Sequence, residues 1–246
     1  MQLFDGAGRV AFVAGAAGGI GTACVEAVRD AGAQIAAMSR NKARLEEITA
    51  DNGSLALVGD CGREDDVRQA IAKAQTRFGR IDYLINAAGV VGAGALAATS
   101  LTDWQDVMDA NLTSCFLLCR EAHAALKASQ GVVVLMSSTN GINGGTRLSG
   151  AAYAVAKAGI INLTRYLAKE WAADGIRVNC VAPGPVETPM IERLSDGEHA
   201  ALKQLIPLGA YATAEQVAAE TLFLCSHHAA TTTGTVANIS GGLVLD

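Results

Sequence analysis

Tyr153 and Lys157 stand four residues apart in a stretch whose pattern is helical. They lie fifteen and nineteen residues after Ser138, and far downstream of a glycine-rich turn built on Gly15, Gly19 and Gly21. Side chains of these types, brought together, suit the oxygen of a carbonyl that is being reduced. Hydride arriving at the carbon leaves negative charge on the oxygen, so the reaction needs a proton donor in hydrogen-bond reach and a second donor to steady the developing alkoxide. Tyr153 fits the first role and Ser138 the second. Free tyrosine titrates near 10, so a phenolate near pH 7 has to be stabilised by roughly 4 kcal/mol, and a neighbouring ammonium acts in that direction. Lys157, one helical turn on, is spaced to help supply it. The bland alternative is a Tyr/Lys pair on a solvated helix face, and the pair alone has little specificity. The order of the pieces carries the weight.

The glycines belong to Ala14-Gly15-Ala16-Ala17-Gly18-Gly19-Ile20-Gly21, which follows an apolar run and leads straight into a helical pattern. Glycine lets the backbone turn sharply and present its N–H groups to a pyrophosphate, while the helix N-terminus adds a favourable dipole. The spacing is Gly-x-x-x-Gly-x-Gly, not the Gly-x-Gly-x-x-Gly dinucleotide fingerprint. On spacing alone, a turn in some other α/β fold stays open.

The elements that must position these residues alternate along the chain. Apolar runs at Val10–Ala14, Gln34–Ser39, Ser54–Gly59, Ile81–Asn86, Val132–Ser137, Arg177–Ala182 and Val236–Ile239 read as strands. Most lack period-2 alternation, the pattern of strands covered on both faces. Helical patterns lie between them at Gly21–Ala31, Lys42–Ala50, Glu64–Arg77, Leu101–Ala128, Ser149–Ala173 and Ala214–Ser226. The expectation is a single-domain Rossmann-type α/β fold over residues 1–246, a doubly wound seven-stranded parallel sheet flanked by helices. With 50% apolar and 17% charged residues, the 246-residue chain has the composition of a core-rich globule. Its net charge of −5 and scattered cations argue against nucleic acid as a partner. No run of about 18 apolar residues could span a bilayer, and the N-terminus lacks a secretory pattern, so a cytoplasmic protein is expected. The six cysteines form no Cys-x-x-Cys pair and read as buried hydrophobes, with no metal site expected.

Taken in order, these motifs resemble the short-chain dehydrogenase/reductase family along essentially the whole chain. Asn86-Ala87-Ala88-Gly89 is similar to the family's Asn-Asn-Ala-Gly. Asn111 matches its helix asparagine and Ser138 its serine, and Pro183-Gly184 with Val186 and Thr188 matches its nicotinamide-carboxamide segment. The resemblance implies a catalytic set of Asn111, Ser138, Tyr153 and Lys157, with Asn111 holding a water in a proton relay and Lys157 also bonding the nicotinamide ribose. It implies cofactor contacts at Gly15, Gly18, Gly19, Ile20 and Gly21, at Ser39, Arg40 and Asn41, and at Asp60 and Cys61. Further contacts fall on Asn86, Ala87 and Gly89, on Tyr153 and Lys157, and on Pro183, Gly184, Val186 and Thr188. A substrate lid is implied near residues 190–205, and a homotetramer or homodimer through the long helices.

Cofactor choice turns on Met38-Ser39-Arg40-Asn41. Ser39 stands where NAD-specific relatives carry an acid, and Arg40 offers a planar fork of donors to a 2′-phosphate. NADP(H) is therefore favoured over NAD(H), against the alternative that Arg40 is a solvated residue at the start of a helix. Asp60 has a bland reading as a strand-end cap. Ala14 and Ala87 replace the family's threonine and second asparagine, which questions the rigidity of the first turn. The Ser138-to-Tyr153 loop is two residues longer than usual, and its Arg147 could meet an anionic substrate. The expected function is interconversion of a ketone or aldehyde with its alcohol, on a small-molecule substrate. The terminal segments fit 3-oxoacyl-carrier-protein reductases as well as secondary-alcohol dehydrogenases. An enoyl reductase is disfavoured because that branch widens the Tyr–Lys spacing. A nucleotide-sensing Rossmann protein without turnover would have no need of the proton relay.

Overall fold

The computed structural model describes residues 4–50, 53–189, 191–192 and 194–245. In chain order the elements begin β1 (Val10–Ala14), α1 (Gly19–Asp30), β2 (Gln34–Ser39), α2 (Lys42–Thr49), β3 (Leu55–Val58) and α3 (Glu64–Phe78). They continue with β4 (Tyr83–Asn86), α4 (Leu101–Met108), α5 (Ser114–Ser129), β5 (Val132–Met136), α6 (Asn140–Asn143) and α7 (Ala151–Glu170). The last are β6 (Arg177–Pro183), β7 (Val186–Glu187), α8 (Asp196–Gln204), β8 (Ala212–Thr213), α9 (Ala214–Cys225) and β9 (Val236–Ile239). Seven strands form one sheet in the order β3-β2-β1-β4-β5-β6-β9, every pairing parallel.

Each central strand is buried on both faces, which is why it reads as a continuous apolar run. Along β1, Phe12 and Ala14 enter the core that includes Leu84, Leu118, Leu135 and Ile160, while Ala11 and Val13 enter the opposite core with Ile85, Val134, Val181 and Val217. Chain order reverses between β1 and β4, so the connections leaving their carboxyl ends diverge and open a crevice. At the other end of the same pair, buried Asp82 accepts from Val10 N (2.9 Å), Arg9 Nη1 (2.9 Å) and Arg80 Nε (2.8 Å). That carboxylate pins the start of β1 to the start of β4 and sets the spacing of the strands beneath the crevice.

Several expected boundaries shift by one or two residues, and one expected element is broken. The helix expected over Leu101–Ala128 is interrupted by a π-turn at Asp109–Thr113. The cause is local competition for backbone acceptors. Asn111 Nδ2 donates to Val107 O and Val90 O, Ser114 Oγ to Ala110 O and Asn111 O, and Cys115 Sγ to Asn111 O. A small second sheet pairs β7 with β8. The segment expected as a lid contains α8, opened by a capping box between Ser195 and Glu198, while Met190 and Arg193 lie outside the described residues. Among the described residues no helix is long and apolar enough to cross a membrane.

Because Asp82 leaves two guanidinium groups and a backbone N–H without their acceptor if removed, Asp82→Ala is expected to lower unfolding stability by about 3 kcal/mol. Urea denaturation monitored by circular dichroism would check this.

Candidate active site

The crevice opens where β1 passes into α1. Gly15 takes φ +72°, and a methyl group on its Cα would sit 2.4 Å from Ala88 N, so only glycine allows the first turn to lie against the end of β4. At Gly21 such a methyl would lie 2.1 Å from Gly15 O, and at Gly19 it would lie 2.5 Å from Thr188 Cγ2. Thr188 is thus placed directly over the turn. Gly18 is the N-cap of α1 and offers no side-chain bond to the first-turn N–H groups, leaving them available to an anion. Ile20 sends its side chain into the core, so what it can offer a ligand is its backbone.

The side of the crevice toward β2 and β3, about 450 Å³, is lined by Gly15, Gly18, Ser39, Arg40, Asn41, Asp60, Cys61, Ala87 and Gly89. Ala17, Gly59, Ala88, Val90 and Ala110 complete the lining, with no sequence signal beyond adjacency to the motifs. Arg40 is 64% exposed and reaches Asp60 Oδ2 at 3.5 Å, a loose pair that leaves most of its donors free. Asn41 spends its side-chain oxygen on Arg44 N (3.1 Å), capping α2. Asp60 accepts from Gly62 N (2.9 Å), so the strand-end cap holds alongside its place in the lining. Asn86 is buried and binds inward: Oδ1 accepts from Ala88 N (3.0 Å), and Nδ2 donates to Ser114 Oγ (3.3 Å) and Cys115 Sγ (3.2 Å). Its contribution is to fix the backbone of Ala87 to Gly89. Ala14 and Ala87 offer no side-chain tie between the first turn and β4; their backbones are joined by the bond from Ala87 N to Ala14 O (2.9 Å), and Gly15 packs against Ala88 N.

The second group of residues gathers where β5 ends. Lys157 is buried, its Nζ donating to Met136 O at 2.7 Å and lying 5.3 Å from the Tyr153 ring centroid. Ser137 Oγ donates to Lys157 O (2.8 Å), tying β5 to α7. Ser138 Oγ accepts from Asn140 N (3.2 Å) and donates to Pro183 O at a long 3.4 Å. Pro183 O also accepts from Thr139 N (2.9 Å), and Gly184 N donates to Ile239 O (2.9 Å), so the Pro-Gly segment is held between β5 and β9. Val186 is buried in β7 just beyond. The π-turn presents Asn111, whose Oδ1 is buried and, among the described residues, shares only with Arg29 Nε the condition of lacking a hydrogen-bond partner. A methyl on Gly89 would lie 2.6 Å from that oxygen and 3.4 Å from Lys157 Nζ. Gly89 therefore keeps open a polar space between Asn111 and Lys157. Arg147 lies exposed on the loop, its backbone oxygen accepting from Gly94 N (2.9 Å).

These features fit a dinucleotide: a glycine turn packed too closely on β4 and Thr188 to admit a Cβ at Gly15, Gly19 or Gly21, an uncapped helix N-terminus beside it, exposed donors after β2, and an unsatisfied buried acceptor beside a lysine. None of the cysteines offers a reactive thiolate, though Cys61 lines the crevice. All six are free and buried, and burial pushes Cys24, Cys61, Cys180 and Cys225 up to about 12 and Cys115 to about 11, with Cys119 also well raised.

Comparison with known proteins finds relatives that match nearly the whole of this chain. The family described as enoyl-(acyl carrier protein) reductase matches residues 15–244. A Thermotoga maritima protein named 3-oxoacyl-[acyl-carrier-protein] reductase is 35% identical over 244 residues, covering 97% of this chain and 98% of the relative. A D-threitol dehydrogenase of Mycolicibacterium smegmatis is also 35% identical, covering 97% and 94%. Among solved structures, a Brucella melitensis short-chain dehydrogenase/reductase described as glucose/ribitol dehydrogenase superposes with a TM-score of 0.94 at 31% identity, covering 99% of both chains.

Thiols raised this far are almost wholly protonated at pH 8 and shielded from reagent. The native protein is expected to resist an aromatic disulfide reagent at that pH and to release six thiols only in denaturant, read as absorbance of the freed thiolate; rapid labelling of Cys61 in the native protein would contradict the packing.

Proposed function

Since the chain belongs to the short-chain dehydrogenase/reductase family, and its relatives support an NAD(P)-dependent oxidoreductase acting on CH–OH groups, we propose that it is an NADP(H)-preferring reductase of ketones or aldehydes, reversibly forming the alcohol. The observation that carries this is the placement of Lys157: buried, fixed by Met136 O, and beside the Tyr153 ring on one side and the orphan oxygen of Asn111 on the other. A nucleotide sensor has no use for a buried lysine so arranged.

The nicotinamide, when bound, supplies or accepts hydride. The protein's part is to manage the oxygen. Ser138 exchanges its long bond to Pro183 O for one to the carbonyl oxygen, and Tyr153 delivers the proton as negative charge develops there. Lys157 favours the phenolate left behind, and a water held by Asn111 in the space beside Gly89 would return a proton from solvent to Tyr153. Gly15, Gly18, Gly19, Ile20 and Gly21 hold the pyrophosphate by backbone, with Thr188 closing over them. Pro183, Gly184 and Val186 frame the nicotinamide end. At the other end Ser39 brings no charge to repel a 2′-phosphate and Arg40 is free to swing to one. Asp60 and Asn41 shape the adenosine pocket while capping their own turns, and Cys61 backs it.

The substrate class favoured by relatives is a 3-oxoacyl thioester, on the strength of the name carried by the Thermotoga maritima protein; the D-threitol dehydrogenase keeps small polyols as the second reading. The three residues between Tyr153 and Lys157 support carbonyl over enoyl reduction. Assembly into a homotetramer or homodimer through α4, α5 and α7 is supported by Phe116, Val155 and Tyr166, which are 47%, 48% and 62% exposed on those helices.

NADPH oxidation across 3-oxoacyl thioesters, ketones, aldehydes and keto acids is the direct test, with Tyr153→Phe expected to lose about 10³-fold in kcat. Arg40→Ala is expected to weaken NADPH binding by roughly tenfold to a hundredfold with NADH binding unchanged. Equal use of both cofactors by the wild type would reverse the assignment of Arg40.

A further inference from the structure

Between Ser138 and Tyr153 the long loop closes on itself through two polar side chains. Asn140 Nδ2 donates to Ser149 Oγ at 2.7 Å, and Ser149 Oγ in turn donates to Thr146 O at 3.1 Å. Ser149 is 5% exposed, and its backbone oxygen packs on Gly92, where a methyl would approach to 3.2 Å. It stands just before Gly150, the N-cap of the helix that carries Tyr153. Asn140, at the other end of the bond, gives its backbone N–H to Ser138 Oγ. One chain of hydrogen bonds therefore runs from the base of α7 to the hydroxyl of Ser138.

We propose that Asn140 and Ser149 are positioning residues that preorganise Ser138 for the developing alkoxide; this rests on the role of Ser138 given above. A serine hydroxyl has one proton and two acceptor sites. With Asn140 N on one acceptor site, the Oγ is held in place while its proton stays on the weak 3.4 Å bond to Pro183 O, ready to transfer to a stronger acceptor. The brace is needed because α6 has four residues and no stability of its own. It is followed by Gly144 and Gly145, both at positive φ, which leave the chain free to unwind. On its inner side Gly141 lies so near α7 that a methyl would reach within 2.6 Å of Lys157 C, so any loosening of α6 shifts Ser138 relative to Lys157 and Tyr153.

The test is single-turnover reduction of acetoacetyl-CoA, or of whichever substrate in the panel reacts fastest, by NADPH in stopped flow. Ser149→Ala and Asn140→Leu are each expected to slow hydride transfer about tenfold, with NADPH affinity by fluorescence titration unchanged. The double variant is expected to be no slower than the slower single, since both remove one bond. Placed in a Ser138→Ala background, Ser149→Ala is expected to add nothing, because it acts through Ser138. A wild-type rate for Ser149→Ala, or a full further tenfold loss on top of Ser138→Ala, would overturn the proposal. If Ser149→Ala fails to fold, Asn140→Leu alone and combined with Ser138→Ala reads the same bond from its more exposed end. A near-wild-type rate for Ser138→Ala, or a wild type inert to every substrate, would instead remove the reading beneath it.

Discussion

Lys157 is a buried lysine at the carboxyl end of β5, where the apolar core meets the crevice, and the site is organised around the cost of putting it there. A buried charge is tolerated only with hydrogen-bond partners and polar surroundings. Here Met136 O at the end of β5 takes one of its donors. The neighbouring elements converge to keep that geometry: Ser137 ties β5 to the backbone of Lys157, Gly141 lets α6 lie on the same turn of α7, and Gly89 yields the space in which the amine faces Asn111. Each of these contacts uses a small residue or a backbone atom, so the lysine is held by the fold and its remaining donors stay available.

The second organising constraint is the close approach of backbones at the switch in strand order. A parallel sheet wound outward from β1 in both directions leaves a crevice above β1 and β4, and its depth depends on how closely the first turn can lie against the end of β4. Gly15 makes that approach possible, and the inward bonding of Asn86 keeps the opposing backbone in place. The result is a glycine turn held against the end of β4, with the backbone of Ala87 to Gly89 fixed beside it.

Much of this was legible in the residues. The strands could be recognised because burial on both faces leaves a continuous apolar run, as in Val132–Met136, and the proximity of Tyr153 and Lys157 could be recognised because helical pitch puts them on one side of α7. Other features were hidden for identifiable reasons. The π-turn at Asn111 inserts one residue into a helix whose apolar periodicity tolerates it, and its cause is a set of side-chain bonds to carbonyls that a linear pattern does not display. The commitment of Asn41 to a helix cap and of Asn86 to α5 likewise depends on which of several acceptable partners is nearest. The bond between Asn140 and Ser149 joins two ordinary loop residues that nothing in their spacing singles out.

Residue type and spacing by themselves determined which chemistry this protein is equipped for: glycines where a backbone must turn, a tyrosine and a lysine one helical turn apart, a serine ahead of them, and, after the second strand, Ser39 in place of the acid with Arg40 next to it. These are local properties, set by covalent geometry and by the period of the element that bears them. Tertiary structure alone decided which of those groups remain available for that chemistry and which are consumed by the fold. Hydrogen-bonding capacity is finite, and a donor or acceptor goes to whatever the packing of distant segments brings within reach. That is why the oxygen of Asn111 is left unpaired beside Lys157 while the equally polar side chain of Asn86 is spent holding the sheet to its helix.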